Sequence, residues 1–202
     1  MTAAQEGLVL LSAAVGAGNR PRLRRALEAA ATVTDGTAIE EVLVQSYLFV
    51  GYPAALGALG EWRRFSGRPA AAPAGDETEW ERRGVATCRR VYGGQYERLR
   101  DNIRALHPDM EAWMVVEGYG KVLGRPGLDL ATRELCIVAL LAQQDAAPQL
   151  YSHLRGALNA GNTEADVEAM ISLLLPDLAE PRRGTLRQQW AAVQQRRSTA
   201  GN

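Results

Sequence analysis

The fold class predicted for this chain is all-α. Apolar residues make up 47% of the 202 positions and are dominated by alanine and leucine. Runs of Val, Ile, Thr and aromatic residues with the two-residue period of a strand are scarce. Apolar stretches of helical length alternate instead with short Gly- and Pro-containing turns. This length allows one or two small domains around a sizeable core. Formal net charge is zero, so no electrostatic partnership with nucleic acid or a membrane is expected.

In order along the chain, Gly7 to Val15 is an apolar helix closed by a turn at Gly16 to Asn19. It lacks a basic flank and falls far short of the roughly 20 residues of a membrane span. Pro21 to Ala31 is a second helix with arginines on one side. Thr37 and Glu40 have capping-box spacing and open a helix over Ala38 to Val50. Gly51-Tyr52-Pro53 breaks it, and a further helix runs from Ala54 to Phe65. Gly67 to Asp76 is a Pro/Gly/Ala-rich linker. Helices follow over Glu79 to Tyr92 and Tyr96 to Ala105. A turn at His107-Pro108-Asp109 precedes an amphipathic stretch, Met110 to Leu123, and Gly124 to Gly127 turns again.

The next stretch, Arg133 to Gly161, is the centre of the chain. Leu135 to Ala142 is apolar on almost every side, which marks a buried helix. Asp129 is placed to cap it. Pro148 suits the first turn of the following helix, and Gly161 suits its end. Two ionisable residues, Glu134 and His153, lie within this apolar pair. Spacing alone does not bring them together: in an ideal antiparallel hairpin His153 faces Leu140, and Glu134 lies about 9 Å farther along. Contact requires crossed helices or a neighbouring unit. On residue type alone His153 is a hydrogen-bonded core histidine or a catalyst, and Glu134 also suits a helix N-terminus through the dipole.

The chain reads as one unit used twice. Leu8, Pro21 and Leu23 recur as Leu135, Pro148 and Leu150 at an offset of 127; Ile39, Pro53 and Trp62 recur as Val167, Pro181 and Trp190 at 128. The expected division is a degenerate first unit over 1–66, a linker over 67–78 and a second unit over 79–202. The positions matching Glu134 and His153 are Gly7 and Ala26, or Glu6 and Arg25, so only the second unit can use the pair. The first is expected to be scaffold. Pro176 and Glu180-Pro181-Arg182-Arg183 alter the last helix of the second unit, which should end early or kink.

The segments LGRPGLDLATREL and SHLRGALNAG resemble the carboxymuconolactone decarboxylase family, within the alkylhydroperoxidase D-like superfamily. The resemblance extends upstream through RRVYGGQYERLR and EAWMVVEGYG, covering about Trp80 to Ile171. VQSYLFVGYPAAL resembles the family's terminal helices. Peroxidase members of the superfamily carry a Cys-x-x-Cys pair four residues before the histidine; here those positions are Ala146 and Gln149. A thiol peroxidase needs a low-pKa thiolate and a resolving partner. Cys88 and Cys136 lie outside any such spacing, so that activity is not expected.

What the resemblance implies is a cofactor-free and metal-free decarboxylase, or a lactone-processing enzyme, acting on a small carboxylated lactone. Loss of carbon dioxide leaves an enolate to be protonated, which calls for a group titrating near neutrality. The implied roles are His153 as acid/base, Glu134 as its orienting partner, and Arg155 or Arg133 as a clamp on the substrate carboxylate. Glu117 and Tyr119 are secondary pocket candidates. By base rate Arg133 and Arg155 are also ordinary surface or ion-paired residues. An isomerase or hydrolase on the same fold, and a non-catalytic binding or assembly protein, remain as alternatives. Family members form rings of helical units, so a trimer imitating a hexamer is expected, in the cytoplasm, with a small-molecule substrate and neither nucleic acid nor membrane as partner.

Overall fold

A computed structural model describes residues 1–70, 75–144 and 146–200. The described chain is all helical. It runs α1 (Ala3–Gly16), α2 (Arg20–Val33), α3 (Gly36–Ser66), α4 (Glu77–Tyr92), α5 (Tyr96–Leu106), α6 (Pro108–Trp113), a π-helix (Met114–Leu123), α7 (Leu130–Leu141), α8 (Ala147–Ala160), α9 (Glu164–Leu174) and α10 (Glu180–Ala200). Part of the expected linker, residues 71–74, lies outside the described residues.

The core forms around α7, in which every residue from Thr132 to Leu141 is buried. Asp129 caps it, accepting from the Thr132 N–H at 2.9 Å. Alongside lies α1, and the Ser12 hydroxyl donates across to the Cys136 carbonyl at 2.6 Å. The apolar run read as a buried helix is therefore the central one, although it starts five residues before Leu135.

The cap of α3 differs from the one read in the sequence. Asp35, not Thr37, accepts the free N–H groups, from Thr37 at 2.7 Å and Ala38 at 3.1 Å. Glu40 turns away to accept from Trp62 Nε1 at 3.1 Å and from Arg63 at 2.7 and 2.9 Å. A carboxylate one residue before Gly36 reaches the first turn sooner than a threonine inside it. The break at Gly51-Tyr52-Pro53 is a bend within α3: Gly51 has φ 75° and ψ 167°, outside the helical region and closed to most side chains. By length and composition α3 could cross a membrane. It buries Glu40, Glu41 and Glu61 in this fold, as a core helix with paired charges does.

Three helix starts recur along the chain: 130 − 3 = 127 for α7 and α1, 147 − 20 = 127 for α8 and α2, and 164 − 36 = 128 for α9 and α3. The bend at Gly51 also has a counterpart, since 51 + 128 = 179 falls just before α10. There α9 ends at Leu174 and Leu175–Asp177 forms one 3₁₀ turn around Pro176, which cannot continue the α9 ladder.

Two helices cross at close range beside the core. An alanine Cβ at Gly120 of the π-helix would lie 1.9 Å from the Trp80 carbonyl oxygen, and one at Gly84 of α4 would lie 2.1 Å from that of Val115. The π-helix replaces the single amphipathic helix expected over Met110 to Leu123; Gly124 N–H closes on the Tyr119 carbonyl five residues back at 2.8 Å.

Three exposed arginines converge on buried Glu61, which receives Arg24 at 2.9 Å, Arg64 at 2.6 Å and also Arg20. The hydrogen bond from Arg24, reinforced by Arg20 and Arg64, holds its carboxyl at about 2. That value lies below the ordinary glutamate pKa of about 4.3, so the group stabilises the fold fully above the ordinary value and loses this contribution as pH falls toward 2. Glu61→Gln should therefore lower the melting temperature at pH 7, with the difference from the parent protein closing at pH 2 to 3. A gap that persists unchanged at pH 2 would rule out this linkage.

Candidate active site

Glu134 and His153 meet. Helix α8 crosses α7 closely enough for His153 Nδ1 to lie 2.8 Å from Glu134 Oε2. Gly156 permits the approach: a Cβ there would lie 2.7 Å from Glu134 Oε2 and 2.8 Å from Val91 Cγ1. Glu134 is fully buried, and its Oε1 has no hydrogen-bond partner. A carboxylate on Nδ1 fixes that nitrogen as the donor and leaves the lone pair on Nε2. Proton uptake at Nε2 would then create an imidazolium beside a buried carboxylate, where low polarity makes the attraction strong.

His153 lines a pocket of about 670 Å³, a common size for a small-molecule site. From α8 come Pro148, Gln149, Ser152 and His153. The π-helix supplies Met114, Glu117, Gly118, Tyr119 and Leu123. Residues Tyr47, Leu48, Phe49 and Tyr52 come from α3, with Tyr92 from α4, Leu99 and Ile103 from α5, and Met110 and Trp113 from α6. Phe49 sets its edge against the His153 ring, centroids 5.6 Å apart. Helix α3, in the stretch expected to be scaffold, thus forms one wall of the pocket that holds His153. The break at Gly51 was the available signal: it turns the chain where Tyr47 and Tyr52 stack at 4.8 Å.

Tyr47 donates to Glu117 Oε1 at 2.7 Å, and Tyr119 donates to the Tyr92 hydroxyl at 3.0 Å. Burial, then the Glu117 carboxylate, pushes the Tyr47 phenol far up, so it remains a donor. Burial likewise holds Tyr119 well above the usual phenol range. Of the six residues singled out in the sequence, His153, Glu117 and Tyr119 line this pocket, with Glu134 directly behind His153.

The two arginines do not reach it. Arg133 is completely buried, and each of its three side-chain nitrogens is engaged: by Glu41 at 2.7 Å, Gln45 at 3.1 Å, and the Leu128 and Arg125 carbonyls at 3.1 Å. It ties α7 to α3 and to the preceding turn, which corrects its reading as a substrate clamp. Arg155 follows His153 by two residues, about 200° around the helix, and is absent from the pocket lining. Among the described residues no arginine or lysine lines the pocket.

Neither cysteine offers a thiolate. Both are buried, and burial pushes Cys88 up to about 12 and Cys136 still higher. Among the described residues no three His, Cys, Asp or Glu side chains gather as a metal site requires.

The sequence pattern of the carboxymuconolactone decarboxylase family matches residues 108–191. Peroxisomal protein 2 of Schizosaccharomyces pombe is 30% identical over 142 residues, covering 68% of this chain and 67% of that protein. The chain belongs to the carboxymuconolactone decarboxylase family. Nitrosuccinic acid decarboxylase npaB of Metarhizium robertsii is 33% identical over 91 residues, 44% of this chain and 62% of that protein. The 4-carboxymuconolactone decarboxylase of Acinetobacter baylyi is 28% identical over 97 residues, 48% of this chain and 72% of that protein. The stretch matching the family pattern holds Glu117, Tyr119, Glu134 and His153. Tyr47, Phe49, Tyr52, Tyr92, Leu99 and Ile103 lie outside it, so much of the wall that a ligand meets is set by residues beyond the family's pattern.

Proposed function

We propose that this protein is a cofactor-independent enzyme of the carboxymuconolactone decarboxylase type, in which His153 transfers a proton on a small lactone or related activated carbonyl compound. The observation that carries this reading is the 2.8 Å contact between His153 Nδ1 and buried Glu134 at the edge of an aromatic pocket. With Nδ1 held by Glu134, Nε2 is the nitrogen that takes a proton from, or returns one to, the carbon next to the carbonyl. Two relatives named as decarboxylases support a reaction of this class. The test is turnover of lactone acids and uncharged lactones by purified protein, with carbon dioxide release and proton exchange followed separately. His153→Leu should abolish both; a variant that turns over normally removes His153 from the role.

A second reading, a binding protein without turnover, is favoured by the absence of arginine and lysine among the described residues that line the pocket. It predicts ligand binding with no exchange of the proton next to the carbonyl. We further propose that the recurring helix starts reflect duplication, with units over 1–66 and 79–202, and that three chains close a ring in place of six single units. Light scattering should give the mass of a trimer; a stable monomer at micromolar concentration would remove that proposal. Cytoplasmic residence is likewise proposed, beside a relative whose name places it in the peroxisome.

A further inference from the structure

We infer that the pocket takes a ligand bearing a protonated amine, which is held by Glu117 while the rest of the molecule lies against the aromatic walls. The inference rests on reading this pocket as the substrate site.

Glu117 is half-buried and lines the pocket, and its one hydrogen bond among the described residues is the one that Tyr47 donates to Oε1. Among the described residues no arginine or lysine forms an ion pair with it. Lys121, one turn farther along the π-helix, sits 5.1 Å over the Trp80 ring and makes no ion pair with Glu117. Behind the pocket-lining His153 lies a second acid, Glu134, in contact with it.

A ligand carboxylate entering here would lose its hydration shell, meet no guanidinium and face a like charge. An ammonium would gain a charge-assisted bond from Glu117, which is about twice as strong as a neutral one. It would also meet aromatic faces, which attract cations over their rings. Tyr47 and Tyr52 are stacked at the pocket wall, and Trp113 is 57% exposed at its edge. Because Tyr47 stays a donor, it steadies one carboxylate oxygen and leaves the other for the incoming N–H group.

Three probes of similar body separate the possibilities: 2-phenylethylamine, 2-phenylethanol and 3-phenylpropanoate, titrated into the full chain at pH 7 by calorimetry. The amine should bind about tenfold more tightly than the alcohol, and the alcohol more tightly than the carboxylate. Glu117→Gln keeps an acceptor for Tyr47; it should erase the amine's advantage while leaving the alcohol's affinity in place, which also reports an intact pocket. Carboxylate binding as tight as that of the amine in the unmodified protein overturns the inference without any variant. An amine preference that survives Glu117→Gln overturns it as well. His153→Leu distinguishes the two levels: lost turnover with the order of affinities retained supports both, whereas normal turnover with the order retained removes the catalytic reading alone.

Discussion

Gly120→Ala should destabilise the protein by about 3 kcal/mol or more, the upper range for an overpacked interior. The added methyl would sit 1.9 Å from the Trp80 carbonyl oxygen and 2.6 Å from its carbonyl carbon. Those are backbone atoms of α4, so no rotamer change relieves the clash, and the two helices must separate. The π-helix carries Glu117 and Tyr119 while α4 carries Tyr92, so separation would also open the pocket and stretch the 3.0 Å Tyr119–Tyr92 bond. Gly118→Ala on the same π-helix is the control, since nothing lies within 4 Å of a Cβ there. Urea unfolding of the two variants checks the contrast. Equal stabilities would show that the crossing can relax.

His153→Leu should reduce turnover by about 10²-fold or more, the usual worth of a positioned acid/base. It should also lower stability by about 3 kcal/mol, because Glu134 is left buried with neither oxygen hydrogen-bonded. Adding Glu134→Leu removes the stranded carboxylate. The double variant should regain most of the stability and none of the turnover. Chemical denaturation paired with the proton-exchange assay separates the two effects. Recovered turnover in the double variant would mean that the chemistry does not pass through this pair; unchanged stability in the single variant would mean that Glu134 finds another partner.

Much of this organisation is legible in single residues. Asp129, Pro148 and Gly161 mark the limits of α7 and α8 because caps depend on neighbours three or four positions away. The apolar run after Glu134 marks the centre of the core, and Gly51 marks the bend in α3. The cap of α3 is Asp35 rather than the Thr37–Glu40 box that the spacing suggests, because Glu40 is taken by other partners. Those partners, Arg63 and Trp62, are distant in the sequence.

The site divides along the same line. Sequence alone determined an all-α chain, a central helix pair with one glutamate and one histidine inside it, and the absence of histidine from residues 1–66. Tertiary structure decided that this glutamate and histidine touch, since helix crossing depends on Gly156 and on what packs around it. It also decided that Arg133 serves the core, and that Tyr47, Phe49 and Tyr52, about 100 residues before His153, form its wall. Local hydrogen bonds and side-chain period fix helices from nearby residues. A pocket's charge is set instead by which distant helices close on it, and here, among the described residues, they bring the Glu117 carboxylate and no arginine or lysine.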